Sequence, residues 1–102
     1  MKGLSLYDGH RHLFIPVDGP RPLDAERAMA GLASPTLARI VQVGQEPEPG
    51  YNTAPAMRLV AAEIERRVAN DTFFVRAEET AAQVHMRRRW IEPVITNYGR
   101  TV

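Results

Sequence analysis

The sequence predicts a small α+β domain, and three observations carry the prediction. Residues 1–17 alternate and turn like a β-hairpin, and residues 54–69 keep one apolar face at helical spacing. Two proline-bearing stretches, 16–22 and 46–55, separate the patterned segments. With 102 residues, 44 % apolar and 25 % charged, the chain suits one domain spanning 1–102. It is too short for a (β/α)8 barrel, which needs roughly 200 residues or more. It is too apolar and too nearly neutral, at +1, to be wholly disordered.

In the hairpin, Leu4-Ser5-Leu6-Tyr7 alternates and His12-Leu13-Phe14-Ile15-Pro16-Val17 is β-prone. Asp8-Gly9 between them supplies the positive φ that a tight turn needs. Pro16 lacks a ladder donor, so the second strand is an edge or ends there. Asp24 is placed to cap a short helix through Leu32, with Ala25, Ala28, Met29 and Leu32 on one face. Ser34-Pro35 is a second helix start, a cap followed by proline at the first helical position. The segment after it alternates well enough for a strand. Even so, Leu37, Ile40 and Val41 with a closing Gly44 favour a helix.

The clearest element is 54–69. Asn52 or Thr53 can cap it and Pro55 opens it. Met57, Val60, Ala61, Ile64 and Val68 make the buried face. Arg58, Glu63, Glu65, Arg66 and Arg67 are expected outside or on the flanks. Glu63 precedes Arg67 by four residues, the favourable order for a helical ion pair. Thr72-Phe73-Phe74-Val75 reads as a short strand, and the residues from Ala77 favour helix. The period is lost after Val84, leaving 82–91 open between helix and strand. Pro93 argues against an uninterrupted helix beyond Glu92. Val94-Ile95-Thr96 fits a last strand within an otherwise irregular tail, 93–102. The expected core is Leu6, Phe14, Ile15, Met29, Leu32, Leu37, Ile40, Val41, Val60, Ile64, Val68, Phe73, Val75 and Val84.

The absence of cysteine removes disulfides, thiolate metal sites and cysteine nucleophiles. No apolar run reaches the roughly 18–20 residues of a membrane helix. Asp8 interrupts the N-terminus before a signal-peptide core forms. The expectation is a cytoplasmic, unprocessed protein with no membrane contact. Of 13 basic residues, 12 are Arg. Residues 1–75 carry eight basic and nine acidic groups, and residues 76–102 carry five and three. That imbalance is too small to imply nucleic acid by itself.

Catalytic patterns are sparse. No Gly-x-Ser-x-Gly elbow and no phosphate-cradling Gly-rich loop occurs. Glu78 and Glu79 are adjacent, so on a helix they point apart and suit a solvated first turn. Asp8-Gly9-His10-Arg11-His12 resembles the opening metal motif of the amidohydrolase superfamily. That resemblance implies His10 and His12 as metal ligands. It covers five residues, and the chain departs from the family elsewhere: it cannot build the barrel, and its one other histidine is His85. Turn chemistry alone accounts for Asp8-Gly9. No metal, cofactor or catalytic residue is therefore assigned.

The densest cluster is Arg87-Arg88-Arg89-Trp90. Three guanidiniums beside an indole suit an acidic protein surface, with Trp90 as an anchor. They also suit phosphates with a stacked base. In the plainest alternative, Trp90 plugs the core while the arginines stay in water. Tyr51, at the tip of Glu48-Pro49-Gly50-Tyr51-Asn52, is a second candidate contact, or else lies back on the adjacent helix. The modest core leaves the connectors and tail with little to pack on inside the domain. The reading is a non-enzymatic interaction or assembly subunit, with itself or another protein as partner. It would meet that partner through its proline-rich connectors, Arg87, Arg88, Arg89, Trp90 and Tyr51. A small nucleic-acid-associated regulator is the first alternative, and a small metal-dependent hydrolase using His10 and His12 the second.

Overall fold

Asp8 reverses the chain at its first turn. Its Oδ1 accepts hydrogen bonds from the backbone N–H groups of His10 (2.9 Å) and Arg11 (2.7 Å), and Gly9 takes a φ of 95°. A short acceptor side chain followed by a residue free of Cβ strain is what such a turn requires. The computed structural model describes residues 3–16, 24–70, 72–73 and 81–99. In it, the turn joins β1 (Gly3–Tyr7) to β2 (His12–Pro16), antiparallel, with Leu4 opposite Ile15 and Leu6 opposite Leu13. This register sends Leu4, Leu6, Leu13 and Ile15 toward the core. Phe14, expected in the core, lies opposite Ser5 on the outer face and is 53 % exposed. Its ring covers Gly3, where a Cβ would collide with it.

Helix α1 (Asp24–Ala30) stops two residues before the expected Leu32. The alternating segment after Ser34 is a helix, α2 (Ser34–Val43), as its start and stop signals favour. Ser34 does not cap it. Ala33 holds the cap position without a side-chain bond, and Pro35 sits in the first turn. Gly44 ends α2 at φ 91°, its N–H bonding Ile40 O at 3.0 Å. A loop over 44–53 then leads into α3 (Ala54–Ala69), whose bounds are those read from the sequence. Thr53 caps α3 by position alone. Asn52 is wholly buried and serves the hairpin instead: it accepts from Tyr7 N–H (2.8 Å) and donates to Tyr7 O and Gly44 O (both 3.0 Å).

The buried face of α3 includes Met57, Val60, Ala61 and Ile64 as expected, and also Ala56, Glu63 and Arg67. The last two correct the sequence reading, which put them outside. Arg67 is 7 % exposed because its guanidinium finishes the α1–α2 corner. It donates to the carbonyls of Met29 (3.3 Å), Ala30 (3.2 Å) and Leu32 (2.6 Å), and to Ser34 Oγ (3.0 Å). The carbonyls that end a helix have no partner within it, and a cation suits the negative end of the dipole. Glu63 balances the charge, 2.6 Å from Arg67 Nε and 2.5 Å from Arg66. Burial alone would raise the Glu63 pKa, but the hydrogen bonds and charges of Arg66 and Arg67 outweigh it and lower it.

Thr72 and Phe73 are not strand. Both N–H groups fold back onto Arg67 O, at 2.8 and 3.3 Å, while Phe74 and Val75 lie outside the described residues. Residues 81–98 follow one helical path: α4 (Ala81–Met86), a π turn (Arg87–Ile91) and α5 (Glu92–Tyr98). Segment 82–91 is therefore helical, and the strand expected at Val94–Thr96 is helix. Pro93 does not stop the path because it occupies the first turn of α5, directly after the π turn. The wider turn moves the proline ring away from the carbonyl it would strike in a regular helix.

One core joins these parts: Leu6 and Ile15 from the hairpin, Met29, Leu37, Ile40 and Val41 from α1 and α2, the α3 face, and Ile91 and Val94. Ile91 and Val94 had no place in the expected core. Leu32, Val68 and Phe73 pack only partly buried against it, Val84 is half-buried, and Val75 lies outside the described residues. The architecture is α+β, a hairpin laid on helices. No helix among the described residues is long and apolar enough to cross a membrane.

Candidate partner-binding surface

The π turn decides where each of the four clustered side chains goes. Its Arg87 O accepts from the N–H of Glu92, a spacing of five residues. The same spacing lets Arg87 Nη1 reach Glu92 Oε1 at 2.8 Å. In a regular α-helix these residues would lie roughly 140° apart around the axis. Sequence reasoning therefore missed this pair, since no α-helical pattern brings its members together. Arg87 is half-buried, its side chain 18 % exposed, and Glu92 neutralises it.

Arg88 and Arg89 are exposed. Neither has a carboxylate within ion-pair distance among the described residues. Arg89 places its guanidinium carbon 4.8 Å from the centre of the Trp90 ring. Trp90 is half-buried and packs against the core, while Ile91 beside it is almost completely enclosed. The structure thus leaves Arg88 and Arg89 exposed, sets Arg89 over Trp90, and draws Arg87 away into an ion pair with Glu92. Upstream, α4 carries no buried residue, so the helical path leaves the core as it runs back from Ile91 to Ala81. Gln42 Nε2, at 3.3 Å from Met86 Sδ, ties its base to α2.

Tyr51 is placed elsewhere. Its backbone bridges to Ser5 of β1 and its ring lies 4.7 Å from that of His12, tilted by 48°. His12 in turn stacks on Tyr7 at 4.8 Å. The Tyr51 ring is half-buried and folds back on the domain, against its own hairpin and not the adjacent helix. The rest of the second connector, 46–50, stays exposed, and connector residues 17–22 lie outside the described residues. Tyr98 O–H donates to Gln45 Oε1, tying α5 to this loop.

His10 and His12 do not converge on one point of chemistry. His10 is exposed and takes part in the turn through its backbone N–H, while the His12 ring sits between two tyrosines. Among the described residues no group of three or more His, Asp or Glu side chains is placed to hold a metal ion. Asp8 is buried and its carboxyl is held below the ordinary range. The Arg11 N–H is the main cause, opposed by burial and helped by the His10 N–H and the guanidiniums of Arg39 and Arg11. Arg39 lies 3.6 Å from Asp8 Oδ2. A separate groove between α1 and α3 is lined by Met29, Leu59, Ala62 and the Glu63–Arg66 pair and includes none of Arg87, Arg88, Arg89, Trp90, Tyr51, His10 and His12.

No protein-family model matches the chain, and no curated protein or solved structure matches it.

Proposed function

We propose that this protein is a non-enzymatic interaction or assembly subunit that meets its partner through the outer side of the π turn. One observation carries the reading. Arg88 and Arg89 stand exposed, Arg89 over a half-buried indole, while their neighbour Arg87 is paired with Glu92. Tryptophan and arginine are the residues most enriched at energetic centres of interfaces. A π turn is a costly local geometry, and such turns recur at functional positions. α4, which has no buried residue, adds surface directly upstream of the turn. The connector over 46–50 flanks a different part of the fold and is a secondary contact in this reading.

The test compares the native protein with R88Q/R89Q. Both are used for sedimentation velocity and for quantitative affinity purification from the source cells, with co-purifying proteins identified. The double variant should keep native thermal melting. It should lose at least about tenfold in self-association or in recovery of one identified protein, which is 1.4 kcal/mol. Unchanged mass together with an unchanged set of co-purifying proteins refutes the reading.

A further inference from the structure

We infer that the surface fitting the π turn is an acidic protein segment that sets one carboxylate against Arg88 and another against Arg89, rather than a nucleic-acid backbone. This rests on the interaction reading above and specifies its partner. Charge is the first argument. Arg87 and Glu92 cancel at 2.8 Å, so the exposed stripe of the helical path is left with Arg88 and Arg89, two net positive charges. A nucleic-acid binder neutralises many phosphates, commonly about six to ten. Two contacts give a duplex salt slope of only about −1.8 and little affinity.

Geometry is the second argument. Adjacent residues of a helical turn diverge by roughly a quarter turn, so the two guanidiniums grip separate carboxylates. Each fork matches a carboxylate through two parallel N–H donors. Arg89 is already held over the indole, which limits the side-chain freedom lost when it binds. Beside the Arg89 fork, the outer part of the half-buried Trp90 offers an apolar contact. The complementary surface is therefore two discrete negative charges, with an apolar group beside the one that meets Arg89.

Trp90 is the only tryptophan in the chain, so its fluorescence reports on the site directly. The probes are a glutamate-rich peptide with one central leucine and a single-stranded thymidine oligonucleotide of equal charge. The peptide should shift Trp90 emission saturably and bind more tightly than the oligonucleotide. R88Q/R89Q, with native melting, should weaken peptide binding at least about tenfold. Charge reversal, R88E/R89E, should move the response to a lysine-rich peptide of the same design. Equal or tighter binding of the oligonucleotide overturns the inference, as does peptide binding indifferent to both double substitutions or absent at millimolar peptide. The broader reading fails separately. If an identified partner depends on Arg88 and Arg89 but meets them with a non-acidic surface, the interface stands and its acidic character falls.

Discussion

Asn52 pairs with Tyr7 as a neighbouring strand would, accepting from its N–H at 2.8 Å and donating to its C=O at 3.0 Å. One side-chain amide thus stands in for a peptide group on the open side of β1. It does so from a residue held at φ 51°, and it also donates to Gly44 O. The hairpin, the end of α2 and the entry to α3 meet at this one residue.

Replacing Asn52 by Ala should therefore be severe for a small polar residue. Up to three buried backbone groups lose a partner, at about 1–3 kcal/mol for each one left unsatisfied. A loss of about 2–4 kcal/mol in denaturant unfolding is expected. Asn52→Asp should be no better at neutral pH, because it presents a carboxylate to two carbonyl oxygens. A melting midpoint for Asn52→Ala equal to the native one would contradict this role.

Arg67 is the second fixed point. Arg67→Met keeps much of the stem but removes the guanidinium donor from the Ala30 and Leu32 carbonyls, Ser34 Oγ and part of Glu63, while Met29 O retains the Leu32 N–H. Breaking one side of a buried charge pair costs about 3–5 kcal/mol. Arg58→Ala, on the exposed face of the same helix, should change stability by under about 0.5 kcal/mol. Chemical denaturation of the two variants separates these outcomes, and similar midpoints would show that the corner does not depend on Arg67.

Acid should weaken the fold through two carboxylates. Asp8 and Glu63 both have folded pKa values below their ordinary ones. Each therefore stabilises the folded state fully at pH values well above about 4, the unfolded range for these groups. That contribution is lost as pH falls from there through the depressed folded values. Melting temperature should be flat near neutrality and drop below about pH 4. D8N and E63Q should be less stable near neutrality and should each flatten the acid limb. An acid limb unchanged in both variants would assign the pH dependence to other groups.

Ile91 and Phe14 exchange the roles that the sequence suggests for them. Ile91→Ala should cost about 2–5 kcal/mol, since a side chain 1 % exposed leaves a cavity. Phe14→Ser should cost clearly less, because half of that ring already faces water. Urea unfolding ranks the pair, and the reverse order would place the core on the other face of the hairpin.

Local chemistry made the hairpin, α2 and α3 readable. Asp8-Gly9, Pro35, Gly44 and Pro55 act within a few residues of themselves, and Met57, Val60 and Ile64 repeat at one period. What escaped depends on distance or on geometry outside the usual periods. Glu63 and Arg67 look like an exposed surface pair until the carbonyls of Met29, Ala30 and Leu32 arrive from more than thirty residues away. Tyr51, open by sequence between a turn-tip contact and a ring laid on the adjacent helix, meets His12 of the hairpin instead. Val94–Thr96 is β-prone by composition, yet Ile91 and Val94 become buried as part of a helix that a π turn carries up to Pro93. For the arginine cluster, sequence supplied the membership and the structure supplied the division, Arg87 inward and Arg88 with Arg89 outward.

The π turn has a consequence for how the gene can change. The two halves of the helical path answer to different neighbours, Met86 to Gln42 of α2 and α5 to α3 and the Gln45 loop. A uniform helix of the same length would meet one neighbour in phase and the other out of phase. The additional residue in the turn rotates one half against the other, as a vernier does, until both fit. Insertions or deletions of one codon between 87 and 91 should therefore be among the least tolerated in the chain. Each would turn Val94 away from α3 or Met86 away from α2. Substitutions at Arg88 and Arg89, which leave the count unchanged, remain free to follow whatever surface they meet.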